Sequence, residues 1–96
     1  MRQIIIPLQR PLVADDSIYG VRVRAAETTD GKWEGRVEFE SKSGIRVTTL
    51  PESTHATRTE VEAWAGRLED PYLVEALRRA SERLIRRVIP PPPPVD

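Results

Sequence analysis

From Val21 to Phe39 the chain switches between apolar and polar residues almost one by one. Val21, Val23 and Ala25 alternate with Arg22, Arg24 and Ala26; further on, Trp33, Gly35, Val37 and Phe39 alternate with Glu34, Arg36, Glu38 and Glu40. A period of two marks a strand with one face buried and the other wet. Between the two runs, Thr28-Thr29-Asp30-Gly31-Lys32 supplies a turn, and Asp-Gly tolerates the positive φ that a tight hairpin needs. The pattern therefore predicts an antiparallel hairpin in which Arg22 and Arg24 meet glutamates across the wet face. Exposed pairs of this kind contribute only about 0.2–1 kcal/mol each, so they set register more than stability. Ser43-Gly44 turns the chain again, and Ile45, Val47 and Thr49 begin a third strand.

The period then lengthens. Thr57 or Thr59, each followed three residues later by a glutamate, fits the capping box of a helix. Val61, Trp64, Ala65 and Leu68 follow at helical spacing and form one apolar stripe. Asp70-Pro71 then suits the cap and first position of a second helix, which runs to about Val88. Its apolar residues Leu73, Val74, Leu77, Leu84, Ile85 and Val88 span an arc of about 120°. The expected fold is α+β in two layers, an antiparallel three- or four-stranded meander covered on one face by two C-terminal helices. Residues 17–89 form this single domain. Residues 1–16 read as an extended N-terminal arm, because Pro7 and Pro11 forbid a helix and confine any strand to a sheet edge. Its apolar residues either cover the chain's own sheet, the favoured reading, or dock on another chain. Residues 90–96 read as a polyproline tail, a helix stop and stiff spacer before a docking ligand.

Composition narrows the chemistry. The chain has 96 residues, no cysteine and a single histidine, His55, which removes disulfides, thiolate metal sites and multi-histidine zinc sites. Lys and Arg number 15 and Asp and Glu number 15, so no overall field draws the chain to nucleic acid or anionic lipid. The run Ile4-Ile5-Ile6 is cut by Pro7, far short of the ~20 apolar residues of a membrane span. A cytoplasmic location is expected, with no membrane partner.

Candidate active groups are few. Ser53, His55 and Glu52 have the residue types of a nucleophile, base and orienter, but neighbours on one loop seldom align in that way. A capping loop is the expected role, with Ser53 and the nearby threonines bonding main-chain amides. Trp33 and Trp64 are expected as core pieces rather than ligand platforms. No catalytic residue, cofactor, metal or small-molecule ligand is expected. Arg79, Arg83, Arg86 and Arg87 line the side of the second helix opposite its apolar arc, and Glu75 and Glu82 stand four residues before Arg79 and Arg86, the order that neutralises a helix face.

The stretch from Val21 to Leu68 resembles the small β-β-β-α unit of HicB-like antitoxins, which have a partial RNase-H-like fold. The residues that carry the likeness are Asp30-Gly31 before Trp33, Glu38-Phe39 in the next strand, Gly44 ahead of a strand ending in Thr48-Thr49, and a helix with Glu60, Ala63 and Leu68. The chain lacks that family's Pro-Gly-Cys-type turn before the third strand and carries no recognisable helix-turn-helix or ribbon-helix-helix segment afterwards. The resemblance implies a regulator that binds a toxin and nucleic acid. The ending, Trp64-Ala65 through Arg79-Ala80, also resembles short bacterial proteins.

The residues themselves point elsewhere. A small sheet has two edges, and edges recruit strands. The leading expectation is a non-enzymatic interaction or assembly protein, a homodimer or a small subunit of a larger complex. Ile4, Ile5, Ile6 and Leu8 would form its contact arm, and Arg79, Arg83 and Arg87 a secondary charged contact. Nucleic acid is the weaker expectation as a partner.

Overall fold

The computed structural model describes residues 2–88, with side chains through Arg86. The polyproline tail, Ile89 and the side chains of Arg87 and Val88 lie outside the described residues. The architecture is the expected two-layer α+β arrangement, an antiparallel sheet with two C-terminal helices on one face, although the sheet contains six strands.

Two long strands form its centre, β3 (Ser17–Glu27) and β4 (Trp33–Ser41) in the chain order used here. They pair in the register that the alternation requires, with Val23 opposite Val37, Val21 opposite Phe39, and Arg22 opposite Glu38. Gly31 sits at φ 82° in their connection, where Gly31 N–H donates to Thr28 O at 3.0 Å and Thr28 N–H to Lys32 O at 2.7 Å. The next hairpin repeats this geometry. Gly44 stands at φ 88°, Gly44 N–H donates to Ser41 O at 3.0 Å, and Ser41 N–H to Ile45 O at 2.9 Å. A main chain that must turn with φ positive at this point selects glycine in both loops.

Each central strand is flanked by two short strands that share one outer position. On the β3 side these are β1 (Gln3–Pro7) and β2 (Leu12–Ala14). The 1–16 segment is therefore part of the sheet, with Ile4 opposite Ala25, Ile6 opposite Val23 and Leu12 opposite Tyr19. Its apolar side chains decide this. Leu12 is 1% exposed, and pairing on β3 removes Ile4, Ile6 and Leu8 from most of their water at ~25 cal/mol per Å². A two-residue turn, Asp15-Asp16, joins β2 to β3 with φ of 49° and 61°. Both central residues lie in the left-handed region, the twist that matches adjoining strands.

On the β4 side the partners are β5 (Arg46–Thr48) and β6 (Ser53–His55). The third strand is shorter than the alternation predicts. Thr49 still bonds β4, its N–H donating to Val37 O at 2.9 Å and its Oγ1 accepting from Val37 N–H at 3.0 Å. Leu50-Pro51 then leaves the ladder, since a proline has no N–H to contribute, and Glu52 N–H rejoins it at Gly35 O, 2.8 Å away. The segment expected as a capping loop, residues 53–55, is thus a strand.

The helices α1 (Arg58–Gly66) and α2 (Asp70–Val88) cover the apolar face. Thr57 Oγ1 caps α1 by accepting from Glu60 N–H at 3.2 Å. One core joins Leu12, Val21, Val23, Val37 and Phe39 to Ala65, Leu73, Ala76 and Leu77, and a smaller one holds Ala25, Trp33 and Val61. Half-buried Trp64 packs against both. Gly35 makes room for it, because a Cβ at that position would lie 2.6 Å from Trp64 Cζ3. The buried stripe of α2 is Leu73, Ala76, Leu77 and Ala80, narrower than the predicted arc. Val74 and Ile85 are 42% and 57% exposed, because small alanines let the helix approach the sheet along a line that leaves those two outside it.

Candidate interaction surfaces

The open face of the sheet is built from the polar half of the alternation. At its centre Glu38 is only 2% exposed, although no helix covers that side. Arginine side chains hide it. Arg22 donates from Nε and Nη2 to Glu38 Oε1 at 3.2 and 2.6 Å, and Arg24 Nη1 donates to Oε2 at 2.9 Å. Arg46 Nε stands 3.8 Å away and bonds Glu40 at 3.1 Å. Burial pushes the Glu38 carboxyl up, but the hydrogen bonds from Arg22 and Arg24 and their charges outweigh it, leaving the group below the usual carboxylate range. The expected cross-strand pairing is present, but it converges on a single shielded acid.

A second ionic group ties the break between β5 and β6 to the helix. Arg79 donates to both Glu52 oxygens, at 2.7 and 2.8 Å, and the Tyr72 hydroxyl donates to the same carboxylate. Arg79 holds the Glu52 carboxyl below its usual range against the opposing effect of burial. Burial, followed by the hydrogen bond to Glu52 and then the Glu52 charge, pushes the Tyr72 phenol up to about 12. Glu52 is consequently committed to α2 and does not orient His55. Ser53 Oγ and His55 Nε2 lie 2.8 Å apart as same-side neighbours on β6, with the imidazole tilted against Trp64 at 5.8 Å between ring centres.

The sequence-predicted contact residues fall into two places. Ile4, Ile6 and Leu8 are half-buried on the helix side against the molecule's own core, while Ile5 points to the open face and is 52% exposed. What the arm leaves available is Ile5 and its own outer edge. Leu8 N–H donates to Val21 O at 3.0 Å, and Glu27 N–H donates to Arg2 O at 2.9 Å. In an antiparallel ladder the inward-bonding residues are then the even-numbered ones, so Gln3 and Ile5 aim both main-chain groups outward and Pro7 only its carbonyl.

The charged contact divides as well. Arg79 is taken by Glu52, and the expected neutralising pairs are replaced: Glu75 and Glu82 both bond Arg78, the latter at 2.6 Å. Arg78 lies three residues after Glu75 and four before Glu82, so one guanidinium reaches both acids. Arg83 and Arg86 form no ion pair among the described residues, and Arg83 Nη1 is buried without a hydrogen-bond partner. The side chain of Arg87 lies outside the described residues.

Arg83 stands in a groove that sequence reasoning missed. Two adjoining depressions of about 230 and 170 Å³ run between β5 and the second half of α2, sharing Ala80 and Arg83. Leu50 and Arg86 line one, and Arg46, Thr48 and Leu84 the other. Ile45 and Thr49 bond inward to β4, so Arg46 and Thr48 direct their main-chain groups toward the groove. Only the shortness of β5, imposed by Pro51, could have signalled it.

No helix of the described residues is long and apolar enough to cross a membrane, and among them no cluster of acids and histidine could hold a metal ion. No protein-family model, curated protein or solved structure matches the chain.

Proposed function

We propose that this is a non-enzymatic assembly protein that pairs with a second copy of itself through the outer edge of β1. The observation that carries the reading is the exposed strand end, where Gln3 and Ile5 present N–H and C=O groups unpaired among the described residues, beside a half-exposed Ile5 side chain. Antiparallel pairing centred on Ile4 sets Gln3 against Ile5 of the other copy. Each then exchanges both main-chain bonds, and Pro7, which lacks a donor, is left outside the pairing. A two-fold axis through Ile4 makes the Gln3–Ile5 contact occur twice, once in each direction, which is the isologous arrangement of a symmetric dimer. In this reading the backbone of the arm and its Ile5 side chain act in trans, while Ile4, Ile6 and Leu8 pack in cis.

Sedimentation velocity of the full chain across a concentration series tests this. A concentration-dependent dimer is expected, and Ile5→Lys converts it to a monomer with unchanged thermal unfolding, because the residue faces water. Wild type that stays monomeric at every concentration, or an Ile5→Lys chain that still dimerises, would overturn the reading.

A further inference from the structure

We infer that the groove between β5 and the second half of α2 binds an acidic, extended segment of a different protein, which adds to the sheet as a strand along β5. Three observations converge there. The main-chain groups of Arg46 and Thr48 point into the groove without strand partners, so a peptide laid along it gains ladder hydrogen bonds. Arg83 Nη1 is buried with nothing to bond, a costly state for a cation and one that a carboxylate relieves. Arg86 adds a second charge on the same wall that is unpaired among the described residues, whereas the groove's one acid among them, Glu82, is already held by Arg78 at 2.6 Å.

The walls also specify side-chain order. A bound strand sends alternate residues toward α2 and away from it. Those facing the helix meet Arg83 and Arg86, with Ala80, Leu50 and Leu84 offering apolar surface beside them. A second copy of the chain is a poor occupant, since its β5 would bring another Arg46 and Arg83 to the same place. The acid-rich strand of this chain, β4, is paired on both sides and cannot be lent. The occupant is therefore foreign, and this site does not depend on pairing through β1.

The test is fluorescence anisotropy with a fluorescein-labelled octapeptide alternating glutamate and valine, titrated with the full chain. Saturable binding is expected, weakened about tenfold or more by Arg83→Glu and similarly when the peptide is N-methylated at alternate residues. Arg83→Gln, a milder change, should give an intermediate loss, and circular dichroism confirms that each variant is folded. A lysine–valine peptide should not bind. The proposal is overturned if the acidic peptide fails to bind, if N-methylation leaves its affinity unchanged, or if Arg83→Glu and Arg83→Gln both bind like wild type. It is equally overturned if an oligouridylate competes the peptide away with higher affinity and steep salt dependence, which would make the groove a nucleic-acid site.

Discussion

Phe39 and Glu38 are neighbours on β4, and the molecule hides them almost equally, at 0% and 2% exposure, by opposite means. Phe39 faces the helices and is covered by secondary structure, with Val21, Val47 and Leu77 in the same core cluster. Glu38 faces open water and is covered by the flexible stems of arginines that are themselves 29–55% exposed. One face excludes water through packing, which pH and salt hardly touch. The other relies on charge, which they control. A sheet with only one covered side can still own two protected centres, but the two fail under different conditions.

The largest expected effect belongs to the packed side. Phe39→Ala should lower unfolding free energy by about 3–5 kcal/mol in urea titration, with no dependence on pH between 4 and 8. If that loss varied with pH, the two faces would not be independent. Gly35→Ala should follow, costing about 1–3 kcal/mol, because the new methyl meets the rigid ring of Trp64 and the Ser53 hydroxyl 3.2 Å away. Pairing Gly35→Ala with Trp64→Leu should recover part of that loss, and additive losses would place the strain elsewhere.

The smallest effect is the most diagnostic. Glu38→Gln should cost about 1–2 kcal/mol at neutral pH and much less in acid. The sign follows from the direction of the shift. A carboxyl held below its ordinary range stabilises the fold fully above about pH 4.3, and that contribution disappears as pH falls through the lowered value. Wild type and variant should therefore begin to converge below about pH 4.3 and merge once pH has fallen through the lowered value, when midpoints are measured across a pH series. Parallel curves would mean that Glu38 acts through packing, and the contrast between faces would collapse.

The packed face was legible in the chain because alternation is a direct image of it. Val21 through Phe39 fixed two strands, their register and their buried side, and Gly31 and Gly44 marked both turns. The edges were harder to read. Asp15-Asp16 does not have the Asn-Gly look of a two-residue hairpin, so β2 and the burial of Leu12 were hidden behind two prolines. β6 was obscured because Ser53-Thr54-His55 has no apolar alternation, and its place comes from bonds to Trp33–Gly35 that only the folded chain brings near. The arginines were the least readable. Helical spacing counts partners within the helix, whereas Arg79 finds Glu52 outside it and Arg83 has no counterion among the described residues.

Dividing both borders of the sheet into short pieces also limits how far association can proceed. The steric zippers of fibrils stack uninterrupted runs of six or seven residues. β1 offers four before its proline, and β5 offers three before Leu50-Pro51 breaks away. Such stubs can recognise one neighbour, but they give little purchase to endless growth. The prolines at positions 7 and 51 thus act as stop marks, breaking each rim before it reaches the length that endless stacking uses.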